Sequence, residues 1–170
     1  MKKLGFLLSV IVVSVAVTSL LVSIHLYAVN NQVDDEVSGI RQMEFQTIEK
    51  GYFSMHKSPA YYVIQNEDEW TNVWNSHDIS IPQRSPPEVN FSESTVIAVF
   101  MGEFNTGGYG IEIKNILDID HLVVVKVEKT YPGKGCCVIE AFTHPYHIVK
   151  TDKVYKEITF ETVEKTIQCP

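Results

Sequence analysis

The chain has 170 residues, with 14 lysines and arginines against 21 aspartates and glutamates, a formal charge of −7. Past residue 30 the balance is 12 basic to 21 acidic residues, a charge of −9. Phosphate binding needs a basic face, so nucleic acid is not an expected partner, and the acidity by default means solubility.

Lys2 and Lys3 precede residues 4–24, a largely apolar run of 21 residues without a charge, and the next charge is Asp34. A helix rises about 1.5 Å per residue, so this run would span roughly 30 Å, one hydrocarbon core. A cleaved signal peptide has a shorter apolar region and a small-residue cleavage site. Ala28 could precede a cut, but Leu26 stands where a small residue is wanted. The expectation is an uncleaved anchor over residues 1–29, with a signal peptide as the alternative. Lys2 and Lys3 favour the cytoplasmic side. The chain is then a single-pass protein of the cell membrane with its remainder outside the cytoplasm. Residues 30–44 carry Asp34, Asp35, Glu36 and the pair Ser38-Gly39, and read as a linker. Residues 45–170 are enough for one extracytoplasmic domain with a single core.

Within that domain the pattern is mostly strand. Tyr61, Tyr62, Val63 and Ile64 are β-rich and end at polar Gln65-Asn66. A helix is expected next. Asn66 can cap it, Glu69 completes a capping-box pattern, and Glu67, Asp68 and Glu69 suit the positive end of the helix dipole. Trp70, Val73, Trp74 and His77 then share one face. Pro82, Pro86 and Pro87 forbid its continuation. Residues 95–101 form a continuous apolar run, the mark of a strand buried on both faces. Tyr109, Ile111 and Ile113 alternate with Gly110, Glu112 and Lys114, and residues 118–121 suit a hairpin before a β-branched run at 122–127. Residues 136–142, 146–149 and 157–163 read as the remaining strands, with Pro132-Gly133 and Gly135 as turn chemistry. The fold class is α+β: a strand-rich, mainly antiparallel sheet with one short packed helix, preceded by an N-terminal transmembrane helix.

The residues that could carry chemistry have ordinary readings beside them. Gly102, Gly107, Gly108 and Gly110 suit a tight connection between two strands, or a cradle of exposed amides for an anion or peptide. His144 and His147 are three residues apart, which in an extended chain puts them on opposite faces. With Cys136 and Cys137 they offer ligands suited to copper or zinc, but the spacing matches no standard zinc pattern. Neighbours in a strand point apart, so one of Cys136 and Cys137 can meet Cys169. The expected disulfide is Cys137–Cys169, and a vicinal bond, a bond to another chain or free thiols are the alternatives. Ser54 with His56, and Ser76 with His77, are near only in sequence, and triads are recognised by geometry. No catalytic residue, cofactor or metal is expected.

Several of these features together resemble the PrcB-like family, named for an accessory subunit of an extracytoplasmic protease complex. The resemblance runs through Tyr62-Val63-Ile64, Glu69-Trp70, Trp74, Pro87, Val89, Phe91 and Val96-Ile97-Ala98-Val99. Its most specific part is Gly102 with Thr106-Gly107-Gly108-Tyr109, then Ile111-Glu112-Ile113. Thr143, Pro145-Tyr146, Ile148-Val149 and Ile158-Thr159-Phe160 complete it. His144, standing between Thr143 and Pro145, departs from the family pattern, and Cys136 and Cys137 are particular to this chain. The family implies a secreted or membrane-tethered domain with no catalytic centre of its own. The expected function is therefore binding of another envelope protein, a surface protease among the candidates. Thr106, Gly107, Gly108, Tyr109, Pro145 and Tyr146 are the candidate contacts, because loops with an exposed aromatic on a rigid sheet are where binding concentrates. The alternative is a metal-binding or thiol-redox envelope protein using Cys136, Cys137, His144 and His147.

Overall fold

The computed structural model describes residues 39–169. The expected membrane segment, the anchor at residues 1–29 and most of the 30–44 linker lie outside the described residues. Among the described residues no helix is long and apolar enough to cross a membrane.

Among the described residues, eight strands and one helix follow in order. They are β1 (Ile40–Met43), β2 (Phe45–Gly51), β3 (Ala60–Ile64), α1 (Glu67–His77), β4 (Ser94–Phe100), β5 (Gly110–Ile119), β6 (Leu122–Pro132), β7 (Tyr146–Asp152) and β8 (Glu157–Ile167). They form two four-stranded sheets, ordered β1-β5-β6-β8 and β2-β7-β4-β3. The second sheet pairs antiparallel throughout, as do β5 and β6, while β6 and β8 run parallel. The strand-rich, mainly antiparallel α+β class with one short helix holds. The strands divide into two sheets rather than one.

The core explains the division. Ile111, Ile113, Val123, Val125 and Val127 of the first sheet pack with Ile97, Val99 and Val149 of the second. On the far face of the second sheet, Val96, Ala98, Phe100 and Ile148 pack with Trp70, Val73 and Trp74 of α1. The layers are sheet, sheet, helix. β4 lies in the middle layer, so its even and odd residues serve different clusters, and residues 96–100 are all 0% exposed. A side chain so buried contributes roughly 1.5–3 kcal/mol through lost apolar surface, which is why this segment needs no polar face.

The helix forms where the sequence places it. Asn66 accepts the Glu69 N–H on its side chain at 2.9 Å. The Glu69 carboxylate takes the N–H of Gln65 at 3.0 Å, one residue earlier than the usual capping box. Trp70, Val73, Trp74 and His77 are its buried residues. Both indoles donate outward, Trp70 to the Pro87 carbonyl and Trp74 to the Arg84 carbonyl, each at 2.9 Å. A buried indole N–H needs a partner, and here the partners bind the proline-rich segment over the helix.

Three segments differ from the expectation. β2 is not among the expected strands: its register shifts between Thr47 and Glu49, and such a bulge breaks the period-two pattern. Ile40–Met43, inside the expected linker, form β1 beside β5. The strand expected at residues 136–142 is an irregular strap instead. Its composition suits a strand, but β6 already runs to Pro132 and the chain must cross to the other sheet before β7. It touches a neighbour by the bridge Phe104–Thr143.

Candidate binding surface

Three loops meet at one end of the domain: the glycine loop between β4 and β5, the strap between β6 and β7, and the segment after β2. Backbone hydrogen bonds zip them together. Phe104 and Thr143 exchange N–H···O bonds of 2.9 Å, Gly107 donates to the Ile139 carbonyl at 2.9 Å, and His144 donates to the Tyr52 carbonyl at 2.7 Å. The Thr143 hydroxyl donates to the Thr106 carbonyl at 2.8 Å. His144 Nε2 lies 3.0 Å from the Glu103 carboxylate, which also meets Lys57 at 3.6 Å.

The glycines are required by this closeness. A Cβ on Gly107 would stand 2.7 Å from Ile139 Cγ1. Gly108 has φ +90°, and a Cβ there would stand 2.9 Å from both Pro132 Cβ and Val138 Cγ1. The Gly107 amide is already spent on Ile139, so the loop is a tight inter-loop contact rather than a ring of free amides.

The joined segments carry apolar side chains facing solvent. Tyr52 is 57% exposed, Phe53 50%, Ile139 62% and Phe142 61%. A cleft of ≈270 Å³ opens beside them, with Lys50, Tyr52, Gly108, Tyr109 and Glu112 among its walls. Tyr109 is half-buried and stacks on Phe104, with ring centres 3.9 Å apart.

Thr106, Gly107, Gly108 and Tyr109 stand at this end, on the glycine loop. Pro145 and Tyr146 do not serve as exposed contacts. Pro145 is buried and Tyr146 is only 6% exposed. Tyr146 opens β7 and points toward the helix, packing on His77 at 4.5 Å and Phe100 at 6.1 Å. Burial raises its hydroxyl pKa, and Glu49 adds to the shift. The side chains that do face solvent here, Tyr52, Phe53, Ile139 and Phe142, were not singled out. Their segments read as polar loop or strand, and only the backbone pairing brings them together.

The expected disulfide is corrected in one partner. Cys136, not Cys137, bonds Cys169, with Cα atoms 5.2 Å apart, and Cys137 is exposed and free. The residue choice follows from the turn at Gly133: Cys136 donates its N–H to the Gly133 carbonyl at 3.2 Å, and that turn lies beside the end of β8. Two residues of the metal alternative are engaged elsewhere. Cys136 is in the disulfide, and His147 uses both ring nitrogens, Nδ1 accepting from the Ile113 N–H at 3.0 Å and Nε2 meeting the Thr47 hydroxyl at 2.9 Å. Among the described residues no group of three or more His, Cys, Asp or Glu side chains is placed to hold a metal ion.

A polar cluster that sequence spacing could not reveal lies at the C-terminal end of α1. Arg84 Nη2 donates to Asp78 Oδ1 at 2.7 Å and to Glu49 Oε1 at 2.9 Å, and its guanidinium lies 5.2 Å over the Trp74 ring. Glu49 also meets His77 Nε2 at 3.0 Å. Burial pushes the Asp78 carboxyl up, but the bonds from Arg84 and Ser80 outweigh it and hold it well below the usual carboxylate range. Burial lowers the His77 pKa, with Glu49 opposing. The cluster fastens the helix end to β2.

The decisive comparison concerns the middle of the chain. Residues 95–152 match the family model described as PrcB C-terminal. No curated protein and no solved structure gives a significant match. The PrcB C-terminal match spans about a third of the chain, essentially β4 through β7. It contains the glycine loop and the start of β5, where the most specific part of the resemblance lies, with the β5–β6 hairpin, the strap and β7. Tyr62, Trp70 and Trp74 lie outside it.

Proposed function

We propose that this chain is a non-catalytic accessory protein, held at the membrane by residues 4–24, whose outer domain binds another envelope protein. A surface protease is the partner class that the PrcB C-terminal match supports. The observation that carries the reading is the rim of Tyr52, Phe53, Ile139 and Phe142, exposed on two segments that backbone hydrogen bonds tie to each other and to the glycine loop. Large apolar side chains on a preformed platform lose little freedom on binding and supply most of the affinity of an interface. Thr106, Gly107 and Gly108 set the platform, and Tyr109 closes it against Phe104.

Crosslinking in intact membranes followed by mass spectrometry identifies the partner. Phe142→Ala with Tyr52→Ala should then cut its recovery strongly while the domain keeps its melting temperature. Full recovery of the same partner by the folded variant would overturn the proposal.

A further inference from the structure

We infer that β8 is a pairing edge for a second copy of this chain, with a two-fold axis at Val163. Among the described residues β8 ends its sheet and pairs only with β6, over eleven residues in unbroken register from Leu122↔Glu157 to Pro132↔Ile167. Its free side holds a row of backbone donors and acceptors without a proline, a glycine or a bulge. Native edges normally avoid that arrangement. The other edges do avoid it: β1 has four residues, β3 five, and β2 is bulged.

The strand is also held ready. Ile158 and Phe160 pack against the core, while Glu161 through Ile167 are all exposed. That exposed half is kept in line by β6 and by the Cys136–Cys169 bond just beyond its end. A strand already fixed in extended form gives up little entropy when another strand joins it.

The charges select the partner and the register. A two-fold axis perpendicular to the sheet keeps each face on its own side, so only residues of like parity can stand opposite. Centred on Val163, the pairing sets Glu161 against Lys165 twice, Val163 against Val163, and Thr159 against Ile167. Both opposite charges on that face meet, and Val163, 55% exposed, and Ile167, 41% exposed, are covered. Centring on Glu161, Glu164 or Lys165 would oppose like charges, and centring on Thr162 would set Glu161 against Val163. Glu161 already meets Lys126 on β6, which holds it in position. Opposite charges directly across an antiparallel pair stabilise it and like charges do the reverse. Ile167 of β8 also lines the cleft beside the rim, but the test below reads residue 163, so failure of the pairing and failure of the rim proposal are distinguishable.

The test uses the full chain in its membrane, with Cys137→Ser removing the free thiol. Val163→Cys should give a covalent dimer under copper–phenanthroline oxidation, because the two copies of residue 163 face each other. Thr159→Cys should give none, because its two copies would lie eight positions apart, about 27 Å. Adding Lys165→Glu to Val163→Cys should remove most of the dimer. Thiol counting on the monomer verifies that Cys136–Cys169 persists in each variant. No dimer at 163, equal dimer at 159 and 163, or a dimer indifferent to Lys165→Glu would each overturn the inference.

Discussion

His147 on β7 takes the backbone N–H of Ile113 on β5 at 3.0 Å, and so ties one sheet to the other through a side chain. The ring is 2% exposed. Accepting at Nδ1 requires that Nδ1 carry no proton, so the contact exists only for neutral imidazole.

That requirement sets a pH dependence. Burial, helped by Lys50, lowers the His147 pKa from 6.5 to about 4. Between those values the unfolded chain binds a proton that the folded chain refuses, so stability falls as pH falls. The contribution is whole above pH 6.5 and lost progressively toward pH 4, amounting to about 3 kcal/mol. Half-buried His56 and buried His77, whose pKa values are also lowered, act in the same direction. Thermal unfolding from pH 7 to pH 4 should show a shallower loss for His147→Gln than for the natural chain. Parallel profiles would refute the assignment.

Two glycines with positive φ should respond differently to alanine. Gly135 has φ +87° and open space around its missing Cβ, so Gly135→Ala should cost only the left-handed strain, about 1–2 kcal/mol. Gly108 has φ +90°, and a Cβ there would stand 2.9 Å from Pro132 and Val138. Gly108→Ala should cost that strain plus overpacking, together about 2–4 kcal/mol. Chemical denaturation of both variants checks the order, and equal losses would mean the loop relaxes freely.

The disulfide makes a third expectation. It closes a separation of 33 residues, and loop-closure entropy sets an upper value of about 4 kcal/mol for its contribution. Cys169→Ser should lower stability by less than that and remove hydrogen-exchange protection first from the exposed second half of β8. Without denaturant, the natural chain should show one reactive thiol, and Cys137→Ser should show none. Two reactive thiols after Cys137→Ser would mean that Cys136–Cys169 does not form.

What could be read from the sequence was local. The helix was legible because its cap, acidic first turn and apolar face all fall within twelve residues of Asn66. β4 was legible because burial on both faces leaves no polar residue in residues 96–100. The hairpin was legible in its turn: Asp120 and His121 join β5 to β6, and Asp120 takes φ +44°. What was missed depends on partners distant in sequence. β2 lost its alternation to a bulge at Ile48. The strap has strand composition and no strand to pair with. Tyr146 looked like a loop aromatic because nothing nearby in sequence shows that His77 and Phe100 enclose it. Glu49 and Arg84 are 35 residues apart, and only α1 packing on the second sheet joins them.

The double burial of β4 leaves an ambiguity that some other group has to resolve. In a strand with one wet face, slipping by a single residue would turn apolar groups outward, and that penalty fixes the alignment. β4 would find hydrocarbon on either side after such a slip, so greasiness cannot position it. Thr95 can. Its hydroxyl is 0% exposed and accepts the Val154 N–H at 3.0 Å, so a shifted strand would strand a polar atom in a dry interior. One hydroxyl at the mouth of an otherwise uniform segment thus acts as its alignment peg.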